Sequence, residues 1–242
     1  MTAFTLDAYR GLIADLTGKG YRIADFHDAD PTRQDLILRH DLDFSIRTAL
    51  PMARIEADHG WKATYFVLVR SPMYGIHTPD SSEALSRILD LGHEVGLHFD
   101  ASNYANDRDA LETAAGREAA LLEDAIGKPV RTVSFHRPAE SLLGYDAPLA
   151  GRVHAYQPRY FREMGYCSDS RGAWHHGTPQ DHPAVAACTA LQMLTHPIWW
   201  TSETPGDPVA TLDAFRTGRD RQLAQAIADN CEPYRSRVDS AE

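Results

Sequence analysis

Short apolar segments typical of buried strands alternate along this chain with segments typical of helices. The clearest strand is predicted over residues 63–69 (ATYFVLV), a continuous run rich in β-branched and aromatic side chains. Further strands are predicted over residues 36–40, 95–99, 131–135, 166–168 and 192–195, and helices over residues 6–16, 46–59, 80–91, 107–126 and 208–228. Strand–helix alternation builds parallel sheets covered by helices. We therefore predict an α/β protein whose simplest closure is a (β/α) barrel of about seven parallel strands, in a single domain over residues 1–242.

The composition is that of an ordinary globular protein, with 43% hydrophobic and 24% charged residues and a net charge of −10. This negative charge argues against nucleic acid or an anionic membrane as partner. No apolar run is long enough to span a bilayer, and the first residues lack the basic and apolar regions of a secretory signal. The three cysteines are scattered and have no C-x-x-C spacing. These features predict a cytoplasmic protein without structural disulfides.

Two aspartates follow the predicted strand at residues 36–40, in the segment Arg39-His40-Asp41-Leu42-Asp43. In extended backbone Asp41 and Asp43 point to the same side of the strand, because side chains alternate with a period of two. Two like charges so placed repel each other unless a cation or a shared proton relieves them. The ends of strands are also where α/β proteins usually build their sites. The alternative is a pair of solvated loop aspartates.

The segment Gly92-His93-Glu94-Val95-Gly96-Leu97-His98 contains two histidines five residues apart. The H-E-x-x-H zinc motif requires histidines four apart on a helix, so this spacing does not match it. On a strand, His93 and His98 lie on opposite faces. His98, with Asp100 beyond it, then reaches the strand end at the level of Asp43, whereas His93 lies at the entry end and is interpreted as structural. The alternative for His98 is a hydrogen-bonded core histidine.

Two later strands also run into histidines: His136-Arg137 follows the predicted strand at 131–135, and His196 follows that at 192–195. Four strands that end in histidine or aspartate predict one polar site at one rim. An aromatic block follows His196 and is suited to stacking on a sugar or to walling off a cleft, although such tryptophans are more often core residues. The candidate substrate contacts near these strand ends are Arg137, Asp169, Arg171, Trp199 and Trp200.

Taken in order, these motifs resemble the metal-dependent polysaccharide deacetylases (carbohydrate esterase family four, NodB-like), and in particular a divergent branch whose first motif reads Arg-His-Asp-Val-Asp. The matching segments are residues 39–43, 63–67, 92–98, 135–138 and 194–197. The resemblance implies a distorted (β/α) barrel, one divalent metal ion, with zinc expected, and hydrolysis of an N-acetyl group from an amino sugar. It also implies that Asp43 and His98 bind the metal, that Asp41 is the general base and that His196 is the general acid.

The chain departs from the family pattern in two respects. Typical members have adjacent aspartates in the first motif, and a second metal-binding histidine four residues after the first, where this chain has Ser102. We expect His136 to supply the missing ligand, with Asp100 as the alternative. We further expect Arg137 or Arg171 to replace the arginine that orients the base in typical members.

The sequence therefore predicts a metal-dependent hydrolase that removes an N-acetyl group from an amino sugar of a glycan or glycan precursor, with a role in polysaccharide biosynthesis. Two alternatives remain open. One is an enzyme on the same barrel that hydrolyses another amide or a cyclic amide. The other is a catalytically silent relative that binds sugar. Metal content distinguishes the silent relative, and release of acetate distinguishes the two hydrolases.

Overall fold

The computed structural model describes residues 4–175 and 177–239, without the side chains of residues 236–239. Its strands are β1 Arg22–Ala24, β2 Asp35–Leu42, β3 Thr64–Val67, β4 Glu94–Phe99, β5 Thr132–Phe135, β6 Val153–His154, β7 Gly165–Ser168 and β8 Leu191–Thr195. Its α-helices are α1 Leu6–Gly18, α2 Leu50–Asp58, α3 Pro79–Asp90, α4 Arg108–Ile126, α5 Pro158–Phe161, α6 Pro183–Ala186, α7 Pro197–Trp200, α8 Pro208–Asn230 and α9 Glu232–Asp239.

The strands form one parallel sheet in the order β6-β5-β4-β3-β2-β8-β7, and β1 pairs with the beginning of β2 outside this order. The sheet curls into a half-barrel with helices around it, which confirms the predicted distorted (β/α) barrel with about seven parallel strands. Because all pairs are parallel, the carboxyl ends of the strands meet at one rim.

Strand β2 lies at the centre of this sheet and is buried along its whole length. It pairs with β3 on one side and β8 on the other, and the register sets His40 beside Thr195. On the far side of β3, the pairing of β4 with β5 sets His98 beside Ser134. This register brings the polar ends of β2, β4, β5 and β8 to the same level of the barrel.

A glycine in β4 lets the interior pack closely. A Cβ atom built on Gly96 would lie 2.5 Å from the ring of Phe66 on the neighbouring strand β3, which is closer than van der Waals contact allows. The segment over residues 92–98 therefore needs glycine at position 96 for packing.

Most predicted elements lie within a few residues of the observed ones, but strands β1 and β6, the short helices α5, α6 and α7, and the C-terminal helix α9 were not predicted. Strands β1 and β6 have only three and two residues, too few to show a hydrophobic period. The predicted helix over residues 46–59 begins as a 3₁₀ turn at Arg47–Ala49 and becomes α-helical at Leu50, next to Pro51. In the part of the chain that the structure describes, no helix combines the length and apolar composition needed to cross a membrane.

Candidate metal centre and acid–base pair

Three side chains from three strand ends converge at the rim of the barrel. Asp43 follows β2, His98 lies on β4 and His136 follows β5, and one potential ligand atom from each lies within 4.8 Å of the other two. Oδ1 of Asp43 is 3.1 Å from Nε2 of His98 and 3.2 Å from Nδ1 of His136. The structure thus brings together the three residues that the sequence suggested as metal ligands.

The donor set suits a divalent cation such as zinc. Oδ1 of Asp43 is buried, and among the described residues no group donates a hydrogen bond to it with acceptable geometry, although two imidazoles face it. Burial alone would raise the pKa of Asp43, but His136 and His98 hold this pKa well below its ordinary value. A buried, ionised carboxylate without a hydrogen bond is costly unless a cation compensates it. One carboxylate oxygen and two imidazole nitrogens are ligands that zinc accepts.

A serine fixes the orientation of His98. Nδ1 of the buried His98 ring lies 2.6 Å from Oγ of Ser134, its partner on β5. If Nδ1 donates its hydrogen to this oxygen, Nε2 presents a lone pair toward Asp43. Such a partner on the second ring nitrogen is the usual way in which proteins orient a metal-binding histidine.

The other aspartate of the first motif is tied to the arginine that precedes it by two residues. Nε and Nη2 of Arg39 donate to Oδ1 and Oδ2 of Asp41 at 3.0 and 2.7 Å, and both side chains are buried. Arg39, and not the expected Arg137 or Arg171, thus holds both oxygens of the aspartate that the sequence predicts to be the base. Burial raises the pKa of Asp41, but Arg39 and His98 outweigh burial and keep this pKa below its ordinary value.

Arg39 is itself held on several sides. Its Nη1 donates to Oε1 of Gln192 at 3.3 Å, and its guanidinium lies 5.6 and 5.1 Å from the ring centres of Phe66 and Tyr156. A buried guanidinium requires such contacts because an unpaired buried charge is strongly destabilising. The position of Arg39, on the same face of β2 as Asp41, is a signal from which the sequence could have predicted this pair.

On the opposite side of Asp43, His196 is paired with a second buried aspartate. Nδ1 of His196 lies 2.6 Å from Oδ1 of Asp169, and its Nε2 lies 3.7 Å from Oδ2 of Asp43. Asp169 also accepts from the backbone N–H of His196 at 3.0 Å and from Nε1 of Trp200 at 2.7 Å. Burial lowers the pKa of His196, but Asp169 reverses this effect and raises the pKa to about 9. The pairing with Asp169 therefore favours the protonated form of His196.

Three of the residues that were predicted to contact the substrate are buried: Asp169, Trp199 and Trp200. Asp169 is fully buried behind His196, so it orients that imidazole and is not a substrate contact. Trp199 and Trp200 are only 6% and 2% exposed. Trp200 packs at right angles against Phe4 in the core. The prediction that these tryptophans stack on a sugar is wrong, because the helix after β8 turns them inward.

A cleft of about 410 Å³ opens beside the candidate metal-binding cluster and is lined by residues that include Asp43, His136 and Arg137. Arg137 pairs with Asp100, which also accepts hydrogen bonds from Ser102, so this carboxylate is already satisfied. The geometry thus favours His136 over Asp100 as the third ligand. Arg171 is exposed, in a turn after β7 with a φ of 59°.

The choice between His136 and Asp100 leads to a testable prediction. We expect His136→Ala to weaken metal binding by more than about 100-fold, because loss of an outer partner alone typically costs 10- to 100-fold. Asp100→Ala should retain one metal ion per chain. Elemental analysis of protein purified without a polyhistidine tag measures both. Retention in His136→Ala together with loss in Asp100→Ala would give the ligand role to the carboxylate.

Comparison with known proteins gives only distant structural likenesses. No family model and no curated protein matches the sequence. Among solved structures, a family 4 carbohydrate esterase from Bacillus anthracis is 17% identical, with 86% of each chain covered and a TM-score of 0.45. The peptidoglycan deacetylase PdaC from Bacillus subtilis is 14% identical, with 84% of this chain and 100% of that chain covered and a TM-score of 0.40.

A pseudoenzyme of carbohydrate esterase family 4 from Bacillus anthracis is also similar, at 17% identity and a TM-score of 0.37. The alignment covers 79% of this chain but only 62% of the pseudoenzyme, so the chain spans less than two thirds of that relative. For a mutant of a family 4 pseudoenzyme with restored enzymatic activity, the alignment covers 64% of that mutant's chain. The similar structures thus come from the family that the sequence motifs resemble. At these identities and TM-scores they carry no argument about chemistry.

Proposed function

We propose that this protein is a metal-dependent amide hydrolase that removes the N-acetyl group from an amino sugar of a glycan or glycan precursor. One observation carries the proposal. A cluster suited to a cation, Asp43 with His98 and His136, lies between an arginine-bound aspartate, Asp41, and an aspartate-bound histidine, His196. Metal-assisted amide hydrolysis uses such a combination, since it needs an activated water, a proton acceptor and a proton donor to the departing amine.

Asp43, His98 and His136 would hold the divalent ion, for which zinc is the first candidate. Such an ion lowers the pKa of water and polarises a carbonyl group. The chain's own contribution is to fix the three ligand groups on different strand ends, with Ser134 setting the orientation of His98.

Asp41 is proposed as the general base. Arg39 keeps it ionised and fixes its carboxylate plane, so that it accepts a proton without first reorienting. Its Oδ2 lies 3.6 Å from Nε2 of His98, which keeps the proton acceptor next to the ligand cluster. The pair with Arg39 also supports different roles for the two aspartates. Both oxygens of Asp41 accept hydrogen bonds from Arg39, whereas Oδ1 of Asp43 accepts none in the described structure and is proposed to bind the metal ion.

His196 is proposed as the general acid. Asp169 holds the Nδ1 side of the ring, which leaves Nε2–H to donate toward the amine that leaves. Asp169 raises the pKa of His196, which favours the protonated ring that a general acid requires. The arrangement resembles an aspartate that orients a catalytic histidine through Nδ1 in other hydrolases.

The N-acetylamino sugar substrate is supported by the resemblance of the ordered motifs to polysaccharide deacetylases, and the open cleft beside His136 offers space for a sugar. The test is acetate release from N-acetylglucosamine oligomers and soluble N-acetylated sugar precursors, with protein of measured metal content. Release that depends on the metal supports the proposal. Hydrolysis of cyclic amides without acetate release would replace it, and sugar binding without any hydrolysis would identify a silent relative.

Asp169→Asn provides a specific prediction for the acid. We expect kcat to fall about 10²-fold with metal content unchanged, because the neutral amide no longer favours the protonated, correctly oriented imidazole. Loss of the negative charge also lowers the pKa of His196, so the alkaline limb of the kcat profile should move to lower pH. The exposed Asp181→Asn is not expected to change either quantity. An unchanged profile in Asp169→Asn would remove His196 as the acid.

A further inference from the structure

Two arginines share the cleft with the proposed metal ligands. Arg70 and Arg137 line the same space of about 410 Å³ as Asp43 and His136. The chain as a whole has a net charge of −10, whereas the side chains lining this cleft carry as many positive as negative formal charges. Guanidinium groups in a substrate cleft are typical of sites that bind carboxylate or phosphate.

The sheet order explains how the two arginines reach the cleft. Strand β4 lies between β3 and β5, and Arg70 and Arg137 stand in the segments that follow these two outer strands. Asp100 and Asn103, in the segment after β4, line the cleft as well. The arginines therefore come from the two strands on either side of β4, which carries the proposed ligand His98.

Arg70 is held by a stacked pair of rings. Its Nη1 donates to the hydroxyl of Tyr104 at 3.2 Å, and its guanidinium lies 5.4 Å from the centre of that ring. Tyr104 stacks on the buried Phe99 at 5.4 Å with an interplanar angle of 14°. Among the described residues, Nε and Nη2 of Arg70 have no protein partner. They are therefore available to an anionic group in the cleft.

Arg137 is held by an aspartate instead of by aromatic rings, and it too is available to a ligand in the cleft. Its Nε and Nη2 donate to Asp100, and its side chain remains 63% exposed. In the described part of the chain its Nη1 makes no hydrogen bond. An aspartate that holds one edge of a guanidinium reduces the side-chain entropy lost when the other edge binds a ligand.

The charges lining the cleft favour an anion once a cation is bound. Asp43 and Asp100 balance Arg70 and Arg137, so a divalent ion on Asp43 would leave the cleft with two positive charges in excess. A neutral sugar offers nothing to compensate them. We propose that the substrate carries a carboxylate or phosphate near its N-acetyl group and that Arg70 and Arg137 bind this anion. The inference rests on the proposed function, because it names the substrate class of the same site.

The test compares neutral N-acetylglucosamine with N-acetylglucosamine 1-phosphate, N-acetylglucosamine 6-phosphate and N-acetylmuramic acid, the last as the carboxylate probe. We expect kcat/KM for at least one anionic sugar to exceed that for the neutral sugar by about tenfold or more. Arg70→Gln and Arg137→Gln should each reduce this ratio about tenfold. Arg54→Gln, which removes an exposed arginine on α2 outside the cleft, should not change it. Calorimetric binding of the same sugars to metal-loaded protein gives a second measurement that does not require turnover.

The outcomes separate this inference from the proposed function. Acetate release at equal rates from neutral and anionic sugars would overturn the inference and leave the deacetylase intact. The inference would also be overturned if Arg70→Gln and Arg137→Gln changed the ratio of kcat/KM for anionic and neutral sugars no more than Arg54→Gln does. Binding of an anionic sugar that depends on Arg70 and Arg137, without hydrolysis of any sugar, would support the inference and overturn the proposed function. The preferred probe identifies the anion as phosphate or carboxylate.

Discussion

Asp43→Ala is expected to lose the metal ion and to reduce kcat/KM at least about 10³-fold, since the ion supplies several kcal/mol of transition-state stabilisation. The physical reason is the position of Oδ1 of Asp43, which lies 3.1 Å from Nε2 of His98 and 3.2 Å from Nδ1 of His136 and has no hydrogen-bond donor of its own in the described structure. Without this carboxylate, two imidazoles remain, and they offer no negative charge to a divalent cation. Elemental analysis and acetate release measure the two effects.

The matched control is Asp58→Ala, which removes an exposed aspartate at the end of α2. It should keep both metal and activity. A circular dichroism spectrum and a melting curve establish that Asp43→Ala is folded. Full metal occupancy in folded Asp43→Ala would show that the ion is bound elsewhere.

Asp41→Asn and His196→Gln form the second prediction. Each should reduce kcat about 10²- to 10⁴-fold while metal content stays close to one ion per chain, because proton-transfer groups act in the transition state and not in metal binding. Asp41 is bound on both oxygens by Arg39, and His196 faces Asp43 only at 3.7 Å, so neither residue is expected to hold the ion. The effects of the two variants should combine less than additively, since both groups act on one reaction.

The main competing assignment exchanges the two aspartates. In that case Asp41→Asn would lose the metal, and Asp43→Asn would keep it and lose only kcat. Comparing the two asparagine variants therefore decides which carboxylate is ligand and which is base. Because Asp41 and Arg39 form a buried ion pair, Asp41→Asn must be compared with wild type for its free energy of unfolding, as breaking such a pair costs about 3–5 kcal/mol. Activity and metal content unchanged in both variants would contradict the mechanism.

The arrangement of the rim illustrates what a local pattern determines. A strand has a period of two, so Asp41 and Asp43 had to share a side with Leu42 opposite, and the structure has both aspartates next to His98. The alternation of strands and helices required parallel pairing, and parallel pairing places all strand ends at one rim. The convergence of His98, His136 and His196 on Asp43 follows from these two rules.

These two rules did not predict which charged side chains pair across the barrel. The sequence suggested Arg137 or Arg171 as partner of the proposed base Asp41, whereas Asp41 pairs with Arg39, and Arg137 pairs with Asp100. Only Arg39 carried a local signal, through its spacing of two residues from Asp41. The other partners depend on which strands are neighbours and how far each side chain reaches.

The sequence by itself determined the order of the elements, the parallel barrel and the set of polar residues at its rim, because hydrophobic period and strand alternation are properties of neighbouring residues. Only the tertiary structure decided that Asp169 lies buried behind His196 and that Trp199 and Trp200 face the core. It also decided that His136 lies next to Asp43, whereas Asp100 forms an ion pair with Arg137. These choices depend on strand register and on competition among several partners in space, and no spacing along the chain encodes that competition.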